Sequence, residues 1–104
     1  MILGEIRTFP KARPDKIQVN KILEESAEVF SAWEKWNEIA HSTSTNGSYA
    51  ERAACNKLVS ECADVIQATS NLVASLGFTD FSYALRECEY RNDQRGRYDI
   101  QESD

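Results

Sequence analysis

Lys21–Ala32 (KILEESAEVFSA) and Lys57–Ala68 (KLVSECADVIQA) carry the same short text, 36 residues apart and with no gap. Lys, Glu, Ala, Val and Ala coincide at five of the twelve positions, and Ile/Leu, Leu/Val, Glu/Asp and Phe/Ile are conservative pairs at four more. Both stretches sit inside longer runs with helical spacing. Val19, Ile22, Val29, Trp33, Trp36 and Ala40 recur at three, four or seven residues, which predicts a helix from Lys16 to about His41. Leu58, Cys62, Val65, Thr69, Leu72 and Leu76 predict a second from Tyr49 to Leu76.

Punctuation around these runs agrees with them. Asp15 after Pro14 can cap the first helix, and Ser48 with Glu51 three residues on has the form of a capping box. The polar run His41–Ser48, with Asn46-Gly47 as its turn signal, separates the two helices, and His41 is placed to stabilise the end of the first. Gly77 is a natural stop, and Thr79 or Asp80 can cap a third helix over about Phe81–Arg91. Residues 1–14 contain both prolines and no helical period, so they read as an irregular arm, and residues 99–104 as an acidic tail. The expected class is all-α: one 104-residue domain, two long antiparallel helices plus a shorter third.

Composition narrows the function. Seventeen acids against twelve bases give a net charge of −5, a sign that repels nucleic-acid backbone and anionic lipid. No apolar run approaches the ~20 residues that span a bilayer, and MILGEIRTFP has no signal-peptide core, so a cytoplasmic protein is expected. Cys55, Cys62 and Cys88 are odd in number, lack a C-x-x-C spacing and have one histidine, His41, beside them. They read as reduced, half-buried core thiols rather than zinc ligands.

The chemistry lies in the acids of the repeat. At about 100° per residue, with Glu25 at zero, Glu28 falls near −60° and Val29, Ile22, Trp36 and Trp33 between about +20° and +80°. Glu61 and Asp64 stand in the same relation to Val65, Leu58, Leu72 and Thr69. Each helix therefore holds two carboxylates at the edge of its apolar stripe, and antiparallel packing of the stripes brings four together. Such a group needs compensation, and carboxylate oxygens without histidine or thiolate favour hard cations: Mg²⁺, Mn²⁺ or Ca²⁺. Lys21 and Lys57, one turn before Glu25 and Glu61, offset part of the charge. The competing interpretation of Glu24, Glu25 and Glu28 is a solvated helix face. A di-iron carboxylate bundle needs E-x-x-H pairs that are absent.

Glu24-Glu25-x-x-Glu28 followed by Glu61-x-x-Asp64 resembles the MazG-like nucleotide pyrophosphohydrolases of the all-α NTP pyrophosphatase superfamily. The resemblance spans about Lys21 to Tyr98. It implies hydrolysis of a nucleoside triphosphate, in particular a (d)NTP, to the monophosphate and pyrophosphate, as in house-cleaning of the nucleotide pool. It implies Mg²⁺ as the working ion, with Mn²⁺ as a substitute, and Glu25, Glu28, Glu61 and Asp64 as ligands. Glu24 and Glu25 are the implied catalytic acids, with Glu24 either holding or orienting the attacking water or standing behind the ligands. Arg91-Asn92-Asp93-Gln94-Arg95-Gly96-Arg97-Tyr98 resembles the basic stretch after the family's third helix, with Arg91 in place of the usual lysine.

On chemical grounds Arg91, Arg95 and Arg97 can grip phosphate oxygens. Trp33 and Trp36 can stack on a base, although their place in the stripe also suits packing. Asn71, Tyr83 and Tyr90 are weaker candidates for base or ribose contacts. Asn92, Tyr98, Lys21 and Lys57 complete the candidate substrate-binding set. Three helices leave one side of a bundle open, which a second copy would close, giving a homodimer or homotetramer. The alternative function is a non-catalytic helical oligomerisation or interaction domain.

Overall fold

A carboxylate starts the first helix. Asp15 Oδ1 accepts the Gln18 amide hydrogen at 3.0 Å, and α1 runs over Lys16–Ala40. The computed structural model describes residues 5–100. At the far end of α1 the His41 ring Nδ1 lies 2.8 Å from the Asn37 carbonyl, the end-stabilising contact expected of it. The turn signal is realised at Gly47, whose φ of +71° places it in the left-handed region that favours glycine. The Ser48 hydroxyl then accepts the Glu51 amide hydrogen at 3.2 Å and starts α2, Tyr49–Ser75. Glu51 reaches back to the Gly47 amide at 3.1 Å, one residue before the usual capping-box donor.

The two long helices are antiparallel neighbours. Gln18, near the start of α1, donates from its side chain to the Ala68 carbonyl, near the end of α2, at 2.9 Å. A line of buried or half-buried positions runs along each helix, Gln18, Ile22, Glu25, Val29, Ala32 and Trp36 on α1 and Ala54, Leu58, Glu61, Val65, Ala68 and Leu72 on α2. The spacing alternates four and three, the signature of a coiled-coil seam. Seam spacing corrects the angular picture drawn from the sequence. Glu25 and Glu61 lie in the seam itself, not at the edge of an apolar stripe. Val19 and Trp33 turn out of it, 45% and 43% exposed. The cysteines are corrected as well: Cys55, Cys62 and Cys88 are all exposed free thiols.

A seam with two acids buries little apolar surface. The buried apolar residues are Ala54 and Ala68. The radius of gyration is 17.2 Å, against about 13 Å for a compact chain of this length.

The hairpin has two unlike faces. Residues one position before the seam, Lys21, Glu24 and Glu28 on α1 and Lys57, Asp64, Gln67 and Asn71 on α2, share one face. Residues one position after it, Leu23, Phe30, Val59, Cys62 and Ile66, share the other, and its four large apolar side chains are 57–64% exposed. The arm follows the polar face: Gln67 Nε2 donates to the Arg7 carbonyl at 2.8 Å, and the Phe9 amide donates to Asn71 Oδ1 at 2.9 Å.

The third helix, α3, runs over Ser82–Gln94, longer at its C-terminal end than the sequence pattern predicts, and stops where Gly96 adopts φ +69°. Asp80 Oδ1 accepts the Ser82 amide hydrogen at 2.8 Å, and the Ser82 hydroxyl, followed by that amide, holds the Asp80 carboxyl below its ordinary value. No Cα of α3 comes within 8 Å of either long helix. Leu85 of α3 and Phe81 just before it wall an open cavity of about 390 Å³ together with Ile6 and Ile66. The architecture is the expected all-α one, but α3 does not line up as a third side of the bundle. No helix among the described residues is long and apolar enough to cross a membrane. The expected tail falls partly outside the described residues, at 101–104.

Candidate metal centre

The repeat and the antiparallel packing together build an acidic cleft. Lys21 and Glu25 are one turn apart on α1, and Lys57 and Glu61 one turn apart on α2, so each lysine reaches its glutamate along its own helix. The Nζ–Oε1 distances are 2.9 Å for Lys21–Glu25 and 2.7 Å for Lys57–Glu61. Both glutamates are buried, at 7% and 6% exposure. Their second oxygens, Glu25 Oε2 and Glu61 Oε2, are buried with no hydrogen-bond partner. Glu28, exposed at the rim, completes a set in which one oxygen from each of Glu25, Glu28 and Glu61 lies within 4.8 Å of the others.

Electrostatics record the crowding. Glu28 is raised above the ordinary carboxylate value of 4.5, chiefly by its hydrogen bond with Glu61 and then by the negative charge of Glu25. Glu61 is held below that value, chiefly by its hydrogen bond with the Lys57 ammonium. Lys21 and Lys57 are raised above 10.5, chiefly by their hydrogen bonds with Glu25 and Glu61. One carboxyl raised beside another lowered is the signature of acids forced into one site.

Two buried oxygens without partners are costly in a folded chain, each forfeiting on the order of 1–3 kcal/mol unless something meets it. Three convergent carboxylates offer only hard oxygen donors, which fits Mg²⁺, Mn²⁺ or Ca²⁺ and disfavours zinc or copper. The residues present therefore fit a hard divalent ion.

The fourth expected ligand stands apart. Asp64 is exposed and lies outside the triad. It lines, with Phe9, Gln18, Lys21, Glu25, Gln67 and Asn71, a neighbouring cavity of about 250 Å³. Asp64 follows Glu61 by three residues, and that step carries it from the seam onto the polar face. Glu24 is exposed on the same face, where its charge helps to raise Lys21.

Other expected site residues fall elsewhere. Asn71 is 3% exposed, and its carbonyl oxygen accepts from the Phe9 amide and from Gln67 Nε2, each at 2.9 Å, so it brackets the arm at the wall of that cavity. Trp33 packs on Phe30 with ring centroids 6.3 Å apart, and Trp36 meets the His41 ring edge-on at 6.4 Å. Neither tryptophan lines the cavity beside the triad. Arg91, Asn92, Arg95 and Arg97 are at the end of α3, where Arg97 Nη1 donates to Asn92 Oδ1 at 3.3 Å. Tyr98 and Tyr90 wall a separate cavity with Arg86, Glu89 and Asp93, and Tyr83 is 70% exposed. None of these α3 residues lines the cleft within the protomer.

Phe9, Gln18 and Gln67 enter the cleft wall although the sequence did not single them out. Gln67 could have been found, because it continues the line Lys57–Asp64 toward Asn71 along one face of α2. Phe9 carried no such signal, since its place is fixed by a backbone contact 62 residues away in sequence. No protein-family model, curated protein or solved structure matches the chain.

Proposed function

We propose that the chain is a Mg²⁺-dependent nucleoside triphosphate pyrophosphohydrolase that cleaves (d)NTPs to the monophosphate and pyrophosphate in the cytoplasm. The observation that carries this reading is the pair of buried, unpartnered oxygens on Glu25 and Glu61, aligned with Glu28 in one cleft. Glu25, Glu28 and Glu61 would hold the ion, with Mn²⁺ as a substitute, and Asp64 would take part from the adjoining cavity. When bound, the ion supplies positive charge that makes a triphosphate welcome among carboxylates.

The chain's own groups supply the rest. Glu24, exposed beside the cleft, is the base that takes a proton from the attacking water. Lys21 and Lys57 lie on the same face as Asp64 and offer ammonium groups to phosphate oxygens. Arg91, Arg95 and Arg97 reach a phosphate only from a second copy or after a movement of α3. The exposed face of Leu23, Phe30, Val59 and Ile66 is the surface on which two copies would meet, closing a four-helix bundle as a homodimer or half of a homotetramer.

The test is a panel of canonical and damaged (d)NTPs with Mg²⁺, scored for pyrophosphate against orthophosphate. Pyrophosphate from at least one nucleotide, lost in E25Q, is expected. No pyrophosphate from any nucleotide, with Mg²⁺ or Mn²⁺, overturns the reading. The same exposed apolar face favours a second reading, a non-catalytic oligomerisation domain, which predicts no change in melting temperature on addition of Mg²⁺.

A further inference from the structure

Each buried acid of the seam already carries a cation. Lys21 and Lys57 sit on Oε1 of Glu25 and Glu61, at 2.9 and 2.7 Å, while Oε2 of each is buried and unpartnered. The two pairs are the two copies of the repeat, so the arrangement is duplicated across the seam. The partners differ in mobility. The lysine side chains are 55% and 68% exposed, whereas those of the glutamates are 9% and 7% exposed. A lysine can swing into water at little cost, but a buried carboxylate left alone cannot follow it.

We infer that Lys21 and Lys57 are displaceable counter-ions of the acidic cleft, which neutralise Glu25 and Glu61 in the ion-free protein and compete with a divalent cation for them. This rests on the metal-site reading above and adds the groups that set its affinity. Three carboxylates within 4.8 Å cannot share one cleft unless positive charge stands near them. Two ammonium groups meet that need in the ion-free chain. A divalent ion on the same carboxylates meets it better, and then lies one carboxylate away from two like charges. Each ammonium is already more than half in water, so the lysines are the groups that yield to the ion. Once released they remain on the polar face, where an anionic ligand following the ion would meet them.

Isothermal titration of the full chain with Mn²⁺ or Mg²⁺ alone tests this, using wild type, K21M, K57M, the double variant and the charge-keeping K21R. Circular dichroism checks that each variant keeps its helical content. Each methionine variant should melt lower than wild type without the ion and bind the ion about tenfold more tightly, while K21R should bind as wild type does. Affinity that is unchanged or weakened in K21M and K57M overturns the inference and leaves the metal site standing. Absence of binding in wild type and in every variant overturns both.

Discussion

Glu25 and Glu61 occupy matching seam positions on antiparallel helices, each joined to the lysine one turn earlier and each left with a buried oxygen that nothing meets. In a seam of this spacing the same positions would ordinarily hold apolar side chains. An apolar pair would be worth more to the isolated fold than two acids, since buried ion pairs rarely repay their desolvation. Stability has been given up at this layer, and the ion binding proposed above would give that loss a use.

If the seam acids hold an ion, E25Q and E61Q will each abolish the rise in melting temperature that Mg²⁺ gives to wild type. Differential scanning calorimetry with and without Mg²⁺ reads this directly. D64N should keep part of the rise, because Asp64 stands outside the triad. An undiminished rise in E25Q would remove Glu25 from the site.

Glu28 sets the pH dependence. Its native pKa is raised above the ordinary 4.5, chiefly by the hydrogen bond with Glu61. The folded chain therefore binds more protons there than the unfolded chain between those two values. Stability falls as pH rises through that window, and the penalty is complete above it. Ion-free wild type should gain stability as neutral pH is lowered toward the window. E28Q should melt higher than wild type at neutral pH without the ion and lose this Glu28-dependent gain. Glu61 opposes the effect only at lower pH, where protonation breaks its pair with Lys57. Denaturant melts across pH, with and without Mg²⁺, separate the two.

Asn71 anchors the arm. Replacing it with alanine leaves the Phe9 amide without its acceptor and opens a buried polar site, at a cost of about 1–3 kcal/mol. Limited trypsin digestion should then cut sooner after Arg7 and Lys11, before global unfolding. Equal rates of cutting in wild type and N71A would mean that the bracket is dispensable.

The apolar face predicts assembly. L23E and I66E place charge where two copies would meet, and both should shift the chain to a monomer in sedimentation or light-scattering measurements while leaving helical content intact. A monomeric wild type at tens of micromolar would end the dimer proposal.

The two long helices were legible from the sequence because capping residues and helical spacing agreed at every boundary. The acid pairs were legible too, since the 36-residue repeat placed them at matching angles. What was lost followed from geometry the sequence does not state. A wheel at 100° per residue puts Glu25 on a stripe's edge, whereas the winding of two helices around one another brings it into the seam. Asp64 looked equivalent to Glu28, yet only Glu28 leans into the triad. The bracket at Asn71 was not legible, because nothing local reveals that the amide of Phe9 reaches its side chain across 62 residues.

Gln67 and Asn71 grip only main-chain atoms of Arg7 and Phe9. The course of the arm beside the cleft is therefore independent of which side chains it carries. Substitutions at residue 9, whose ring is 60% exposed, can accumulate without rerouting the chain. Such a segment is free to diversify and retune what enters the cleft, while the helices beneath it stay under the constraint of their buried acids.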